Sequence, residues 1–250
     1  MSTDLEQNKD NAENKSVNVS EDEEADGHYE IQDPDNNEKM ESFDIQNGIL
    51  EGVSESYEEG QIAEKFNFKN GELDGVSETF NADKTTSTRS NYKNGQKNGI
   101  TEIFDEAGNL SLRQSYQNDK LNGETKIFDQ GCLIARMTYK NSELNGFCTY
   151  YSQSGLPSLR FIYSNNKRQG GAEIYDDKGN ICRIDQYKDD LLHGVSQEIT
   201  SEGRVIATYS YVQGVMDGDA VTYDLDGEVE VVTSYQNGRV IKIDNKVEPK

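Results

Sequence analysis

Apolar and polar residues alternate along most of this chain in short runs that end at turn-forming residues. Ile100 to Phe104 is one such run, Leu110 to Tyr116 is the next, and residues 105–109 between them include Asp, Gly and Asn. Side chains alternate between the two faces of a strand, so this pattern predicts two β-strands joined by a turn. No stretch shows the period of an amphipathic helix, and the chain holds only 3 prolines. The pattern therefore predicts an all-β fold.

The same two-strand pattern returns every 23 or 24 residues. A glycine marks each unit, and we call these the repeat glycines: Gly52, Gly75, Gly99, Gly123, Gly146, Gly170, Gly194 and Gly218. Five positions later stands the first-strand aromatic, which is Ile199 in one unit: Tyr57, Phe80, Phe104, Phe128, Tyr151, Tyr175 and Tyr223. Near the end of each unit stands the second-strand aromatic: Phe68, Tyr92, Tyr116, Tyr139, Tyr163, Tyr187, Tyr211 and Tyr235. Recurrence in phase predicts tandem β-hairpins of about 24 residues.

Asn-Gly pairs link several units and begin at Asn47, Asn70, Asn94 and Asn237. Both residue types tolerate the positive φ angles that two-residue hairpin turns require. Hairpins joined in this way predict one elongated, solenoid-like antiparallel meander of roughly sixteen strands, in which each unit mainly contacts its neighbours. The predicted array of about eight units covers residues 43–243, ends in a capping strand at residues 240–243, and is followed by a C-terminal tail, residues 244–250.

Alternation along the strands predicts an apolar face. It carries the repeat glycines and, two positions after each, a small residue: Ser54, Ser77, Thr101, Thr125, Cys148, Ala172, Ser196 and Ala220. If Tyr116 lies opposite Gly99, its ring covers the bare glycine and the small column leaves room for it. The second strands add larger residues to the predicted face: Leu110, Leu112, Leu133, Met137, Leu159, Phe161, Val205 and Tyr209.

The opposite, charged face is predicted to carry two columns of ionised side chains. The first strands contribute Glu55, Glu78, Glu102 and Glu173, and the second strands contribute Lys65, Arg89, Arg113, Arg136 and Arg160. Pairing of Glu102 with Arg113 would place these columns side by side. Exposed pairs contribute about 0–1 kcal/mol, so they help to define the register. The basic column stops after Arg160, so the two ends of the array should present different surfaces.

Charge is the strongest feature of the composition. The chain has 47 acidic and 25 basic residues, for a formal net charge of −22. Nucleic acids and anionic membranes attract basic surfaces, so both are unfavourable partners, whereas a basic protein is favoured. Residues 1–42 hold 14 acidic and 3 basic residues with few apolar ones. Such a composition predicts a disordered acidic N-terminal tail.

The remaining composition points to a cytoplasmic protein. The first residues lack the basic start and apolar run of a secretory signal, and no apolar stretch is long enough to span a membrane as a helix. The three cysteines, Cys132, Cys148 and Cys182, show no paired spacing. Free thiols in a reducing compartment are therefore expected.

We expect no catalytic centre, cofactor or metal. His28 falls in the predicted tail, and His193 occupies a turn position that Asn98, Asn122 and Asn145 fill in other units. No nucleophile elbow, metalloprotease helix or phosphate-binding loop is present. The sequence from Asp224 to Glu228 superficially resembles a calcium loop but lacks its spaced ligands and coincides with the turn of the repeat.

The pattern Tyr-x-Asn-Gly from Tyr92 to Gly95, followed by Gly99, Phe104 and Gly108, resembles the variant MORN repeat. The resemblance covers about residues 43–240 and extends to bacterial proteins described as YwqK-type antitoxins. It implies an elongated β-sheet used for binding and, for the antitoxins, a cognate toxin. A repeat family shares a scaffold and not a partner.

These observations predict a non-enzymatic, protein-binding repeat scaffold, antitoxin-like in its role, with a basic protein partner. A partner is expected to meet a groove on the apolar face, where aromatic side chains serve as anchors. The residues predicted for this contact are Tyr92, Tyr116, Tyr139, Phe161, Tyr163, Tyr187, Tyr209 and Tyr211. Two alternatives remain: a membrane-associated scaffold of the MORN type, and an accessory subunit of an enzyme.

Overall fold

The computed structural model describes residues 26–33 and 39–245. These residues form a single open antiparallel sheet of 23 strands without any helix, and each strand pairs with its neighbours in sequence. The predicted all-β meander is thereby confirmed. Within these two ranges, no helix has the length and apolar character needed to cross a membrane.

The strands follow one another along the chain as hairpins. Their bounds are β1 Gly27–Gln32, β2 Lys39–Gln46, β3 Ile49–Leu50, β4 Gly52–Glu58, β5 Gln61–Lys69, β6 Glu72–Leu73, β7 Gly75–Phe80, β8 Thr86–Lys93, β9 Gln96–Phe104, β10 Leu110–Gln117, β11 Lys120–Asp129 and β12 Cys132–Lys140. The remaining strands are β13 Glu143–Tyr151, β14 Pro157–Ser164, β15 Lys167–Arg168, β16 Gly170–Tyr175, β17 Ile181–Lys188, β18 Leu191–Leu192, β19 Gly194–Ile199, β20 Val205–Val212, β21 Val215–Tyr223, β22 Val229–Gln236 and β23 Arg239–Asn245.

The predicted tail, residues 1–42, is too long. β1 and the first half of β2 lie inside it and pair with each other, with Gly27 opposite Ile45. Tyr29 stacks on Phe43 at 5.7 Å between ring centroids, and Phe43 is 4% exposed. The hairpin extends the sheet by two strands, but it has no register shift, and Gly27 lacks the positive φ of the repeat glycines. Residues 1–25 and 34–38, also assigned to the tail, and residues 246–250 lie outside the described residues.

Turn geometry explains why the repeat has 23 residues in some units and 24 in others. In the units that begin at Gly52 and Gly123, two residues join the strands, and both have positive φ: Glu59 with Gly60, and Gln130 with Gly131. The other units use a longer turn, such as residues 105–109. The shorter connection accounts for both 23-residue steps. Between units, positive φ at both Asn94 and Gly95 matches the predicted hairpin turns.

A β-bulge in each of the eight hairpins that begin at a repeat glycine corrects the predicted apolar face. In the hairpin of β9 and β10, Arg113 pairs with Glu102 and Tyr116 with Gly99, as predicted, but the register shifts between Leu112 and Leu110. A bulge adds one residue to one strand, so simple alternation fails beyond it. The residues on the far side pair with first-strand aromatics or their equivalent and not with the small column: Leu110, Leu133 and Val205.

The repeat glycine is required by its neighbouring hairpin. Gly99 has a φ of 118°, and a Cβ placed there would lie 3.0 Å from the Cβ of Asn91 in the preceding hairpin. The Asn91 side chain also donates a hydrogen bond to the carbonyl of Ile100 at 2.7 Å. Tyr116 lies opposite Gly99 as predicted, but the close approach that excludes a Cβ there is to Asn91 on the strand on the other side.

The small column forms the most buried part of the sheet. Together with second-strand residues, it makes a continuous row, and the most buried members of this row are 1% to 7% exposed: Phe43, Ser77, Ser90, Thr101, Thr125, Cys148, Ala172, Asp185 and Ser196. The described residues form one sheet, so the larger side chains on either side of the row cover it. Small residues in the row allow these larger side chains to approach and pack closely.

Candidate protein-binding surface

The structure places all eight predicted contact residues on the apolar face. Six of them lie directly opposite the repeat glycine of their hairpin: Tyr92, Tyr116, Tyr139, Tyr163, Tyr187 and Tyr211. Phe161 pairs with Cys148, and Tyr209 pairs with Ser196, so both belong to the buried row. All eight remain partly exposed. The rings therefore line one side of the sheet in an order determined by the strands.

A second row, which the sequence reasoning missed, lies beside these rings. It consists of the residue two positions before each repeat glycine, and Tyr116 pairs with Leu121 just as Tyr139 pairs with Leu144. Its apolar members are Leu50, Leu73, Leu121, Leu144, Leu192 and Met216. The recurrence of Leu or Met two positions before a repeat glycine could have revealed this row from the sequence. Lys97 and Arg168 occupy the same position in two units and place cations beside the rings.

Arg168 organises the aromatic residues in the middle of the array. Its guanidinium lies 4.4 Å from the ring centroid of Tyr187 and 5.4 Å from that of Phe161. Phe161 contacts Tyr163 and Tyr187 edge to face at 6.1 and 6.0 Å. Cation–π contacts contribute about 0.5–2 kcal/mol according to their exposure. Arg168 also donates to the carbonyl of Asp190 at 3.0 Å, so the cluster is anchored to the next turn.

An ion pair interrupts the buried row further along. Asp185 lies between Ala172 and Ser196, where most other units have apolar or small polar residues, and its side chain is 10% exposed. Arg183 approaches it at 2.8 Å and reaches Glu198 at 3.2 Å. The Arg183 guanidinium also lies 5.7 Å from the Tyr209 ring centroid. The hydrogen bond from Arg183 and its charge offset the burial of the Asp185 carboxylate.

Tyr150 belongs to this surface although the sequence did not predict it. It pairs with Ala135 and Leu159 and is 36% exposed. Burial raises the pKa of Tyr150 above its usual value, and the neighbouring Cys148 adds to the shift. Burial likewise raises the pKa of Tyr139 and of Tyr163. These phenols remain neutral at physiological pH and can offer both apolar area and a hydrogen bond.

The first-strand aromatics lie on the charged face. The hydroxyl of Tyr57 donates to Glu55 at 2.6 Å, and the hydroxyl of Tyr175 donates to Glu173. Burial, followed by this bond to Glu173, raises the pKa of Tyr175 to about 12. The bond from Tyr57, followed by that from Lys65, lowers the pKa of the Glu55 carboxyl. Tyrosine thus supports the acidic column as well as the apolar face.

His193, Cys148 and Asp224, whose residue types often act in catalysis, have structural contacts here. The ring of His193 accepts a hydrogen bond from the backbone of Gln213 at 3.5 Å, at the turn position predicted for it. Cys148 is 1% exposed, and burial raises the pKa of its thiol. Asp224 accepts the backbone N–H groups of Asp226 and Glu228, so its carboxylate closes a turn. Among the described residues, no three His, Cys, Asp or Glu side chains gather into a metal site.

Comparison with known proteins identifies one unit. Residues 50–70 match the family described as MORN repeat variant, and this stretch contains the hairpin of β4 and β5. The search of curated proteins finds no match. Such repeats are generally associated with protein or membrane binding, and the match favours a non-catalytic repeat scaffold. The other units share the glycine, the bulge and the aromatic positions of the matched one.

Proposed function

We propose that this protein is a non-catalytic scaffold that binds a protein partner on its apolar face. The observation that carries the proposal is the row of tyrosines from Tyr92 to Tyr211, which are partly exposed along one side of a single-layer sheet. Tyrosine offers a large contact area with little loss of conformational freedom. A face of this kind is typical of a surface that another protein covers.

The middle of the array is the best centre for the contact. There Tyr139 pairs with Leu144, Tyr163 pairs with Arg168, and the Arg168 guanidinium lies 5.4 Å from the Phe161 ring centroid. Rigid aromatic groups beside an arginine are the side chains that contribute most to protein interfaces. Because the rings already contact one another, little ordering is required when a partner binds.

The net charge of −22 supports a basic partner, since it raises the rate of encounter with a positively charged protein. An antitoxin-like role in the cytoplasm, with a basic toxin as the partner, is the specific form of the proposal. Binding to a membrane is the second candidate because the repeat family is associated with it. The same net charge opposes an anionic bilayer and places this candidate behind the first.

Site-specific photo-crosslinking tests the proposed face. A benzophenone amino acid at position 139 or 163 should capture the partner in the native host, whereas the same group at Tyr223, on the charged face of β21, should not. Tyr139→Ala and Tyr163→Ala are each expected to weaken binding of the captured partner by about 1–2 kcal/mol. Circular dichroism checks that the variants remain folded. Capture of this partner at position 223 alone would mean that the opposite face binds it.

A further inference from the structure

The charged face carries a row of residues that passes through the centre of every strand. At its N-terminal side the signs alternate: Glu55 faces Lys65, Lys65 faces Glu78, and the alternation continues through Arg89 and Glu102 to Arg113. Opposite charges on adjacent strands attract, so this arrangement supports the sheet. The ion pairs are short, with Lys65 at 3.0 Å from Glu55 and Arg89 at 2.8 Å from Glu78.

The alternation breaks in the middle of the array. Arg113 lies directly opposite Lys126, and Lys126 lies directly opposite Arg136. Thr149 then takes the place of an acidic residue between Arg136 and Arg160. Like charges placed directly opposite each other destabilise a sheet. Other units have Glu at the positions of Lys126 and Thr149, and Glu there would place opposite charges on adjacent strands.

Arg113, Lys126, Arg136 and Arg160 therefore form what we call the basic strip. Their side chains are 47%, 29%, 45% and 39% exposed. Glu124 is the one carboxylate inside the strip, and it lies 3.1 Å from Lys126 and 3.7 Å from Arg136. Glu102 and Glu173 close the two ends. Four basic groups thus share one internal carboxylate in a protein of strongly negative charge.

Apolar side chains lie beside the strip. Phe147 is 52% exposed, and the Arg160 guanidinium lies 5.0 Å from its ring centroid. Ile162, which pairs with Phe147, is 36% exposed. An exposed phenylalanine next to an arginine offers an apolar contact and a cation in the same place. The surface is therefore suited to a ligand that carries both carboxylates and apolar side chains.

We propose that the basic strip binds an extended acidic segment of another protein. The strip crosses five strands, or about 19 Å at the usual strand spacing, which about six residues of extended chain would cover. A membrane would require a broad basic surface, and the net charge of −22 opposes one. The proposal adds a second binding surface, on the face opposite the tyrosines, with the opposite preference for charge.

The acidic run of this chain itself is a poor occupant. Glu21 to Glu24 lie within five residues of Asp26, at the edge of the sheet beside β1. Seven strand spacings, about 34 Å, separate β1 from β10 along the sheet. Five extended residues span at most about 17 Å. The run therefore cannot reach Arg113 along the surface, and an acidic segment of a different molecule fits better.

Fluorescence anisotropy with a labelled peptide of about eight alternating Glu and Phe residues tests the proposal on the full chain. We expect saturable binding that weakens at least tenfold between about 0.05 and 0.5 M salt, because charge attraction is screened. Lys126→Glu should weaken binding at least tenfold. Its melting temperature should change little, since two like-charge contacts become opposite ones while the ion pair of Lys126 with Glu124 is lost. A matched peptide with Gln in place of Glu should not bind.

Arg89→Gln is the matched control, because Arg89 lies between Glu78 and Glu102 in the alternating part of the row. It should leave peptide affinity unchanged. The proposal is overturned if the wild-type chain does not bind the peptide at concentrations up to about 1 mM. It is also overturned if Lys126→Glu and Arg89→Gln weaken binding equally. Flotation with phosphatidylserine vesicles that Lys126→Glu abolishes would overturn it in favour of a lipid surface.

Discussion

The first three units and the last three use the same hairpin but carry their ion pairs on different faces. In the first units the pairs lie on the charged face, as for Arg89 with Glu78. In the later units the last ion pair between neighbouring members of that row is Glu173 with Arg160. The row then continues as Ile184, Gln197, Thr208 and Val221, while Arg183 and Asp185 form an ion pair on the apolar face. The backbone hardly changes, since Gly99 and Gly194 have φ values of 118° and 105°.

The comparison shows that the backbone features of the hairpin are kept from unit to unit, whereas the charge of its side chains is not. The glycine, the bulge and the turns act through the backbone and are needed wherever a hairpin meets the next one. The side chains on the two rows are not needed for that contact, so their charge can change from unit to unit. A partner that binds one end of the array therefore meets a different chemistry from a partner that binds the other.

The largest effect should come from the shared scaffold. Gly99→Ala and Gly194→Ala are each expected to destabilise the protein by about 1–3 kcal/mol, because both positions have positive φ and a neighbouring side chain within 3.4 Å of the added Cβ. Gly171→Ala is the control, since its added Cβ meets only the Gln186 side chain at 3.6 Å. Urea unfolding measures all three. A loss of unfolding free energy in only one of the two glycine variants would mean that the hairpins at the two ends depend differently on the repeat glycine.

The ion pairs of the two regions should differ in strength. Arg183→Gln leaves the buried Asp185 without its cation and is expected to cost about 1–2 kcal/mol. Arg89→Gln removes a pair whose arginine is 45% exposed and should cost about 0–1 kcal/mol. Chemical denaturation at low and high salt should show that salt weakens the Arg89 pair more. Equal losses of unfolding free energy in the two variants would mean that the ion pairs on the two faces do not differ in strength.

The buried hydroxyls allow a finer test. Ser77 and Ser196 occupy the small column in the two regions, and within the described part of the chain neither hydroxyl has a hydrogen-bond partner. Ser→Ala at either site should leave stability unchanged or raise it by up to about 1 kcal/mol. Ser90→Ala should instead destabilise, because the hydroxyl of Thr101 bonds to Ser90 at 3.1 Å. Thermal unfolding distinguishes these outcomes.

The smallest effect concerns the N-terminal hairpin. The hydrogen bond to Asp44 at 2.8 Å raises the pKa of His28 above 6.5. Protonated His28 therefore stabilises the pairing of β1 with β2 fully below pH 6.5, and this contribution disappears as the pH rises through the raised pKa. Amide hydrogen exchange in β1, corrected for the intrinsic rate, should report less protection above that range. His28→Gln should abolish the dependence, and an unchanged profile in that variant would contradict the assignment.

The sequence by itself determined the hairpin repeat, its sheet and most of its rows. Alternation and a constant period are local properties, so the pairing of Glu102 with Arg113 could be predicted without a structure. The N-terminal hairpin could not, because its acidic composition resembles that of a tail and only the pairing of β1 with β2 reveals the two strands. The eight predicted contact residues do share a face, but their role as a binding site stays a prediction.

Only the tertiary structure decided what depends on contacts between hairpins. The bulge moved Leu110, Leu133 and Val205 away from the small column, because one inserted residue reverses an alternation that the sequence displays as unbroken. The close approach that excludes a Cβ at Gly99 comes from the preceding hairpin, at Asn91, which the sequence did not indicate. The like charges of Arg113, Lys126 and Arg136 belong to different units, so pairing between strands was needed to bring them side by side.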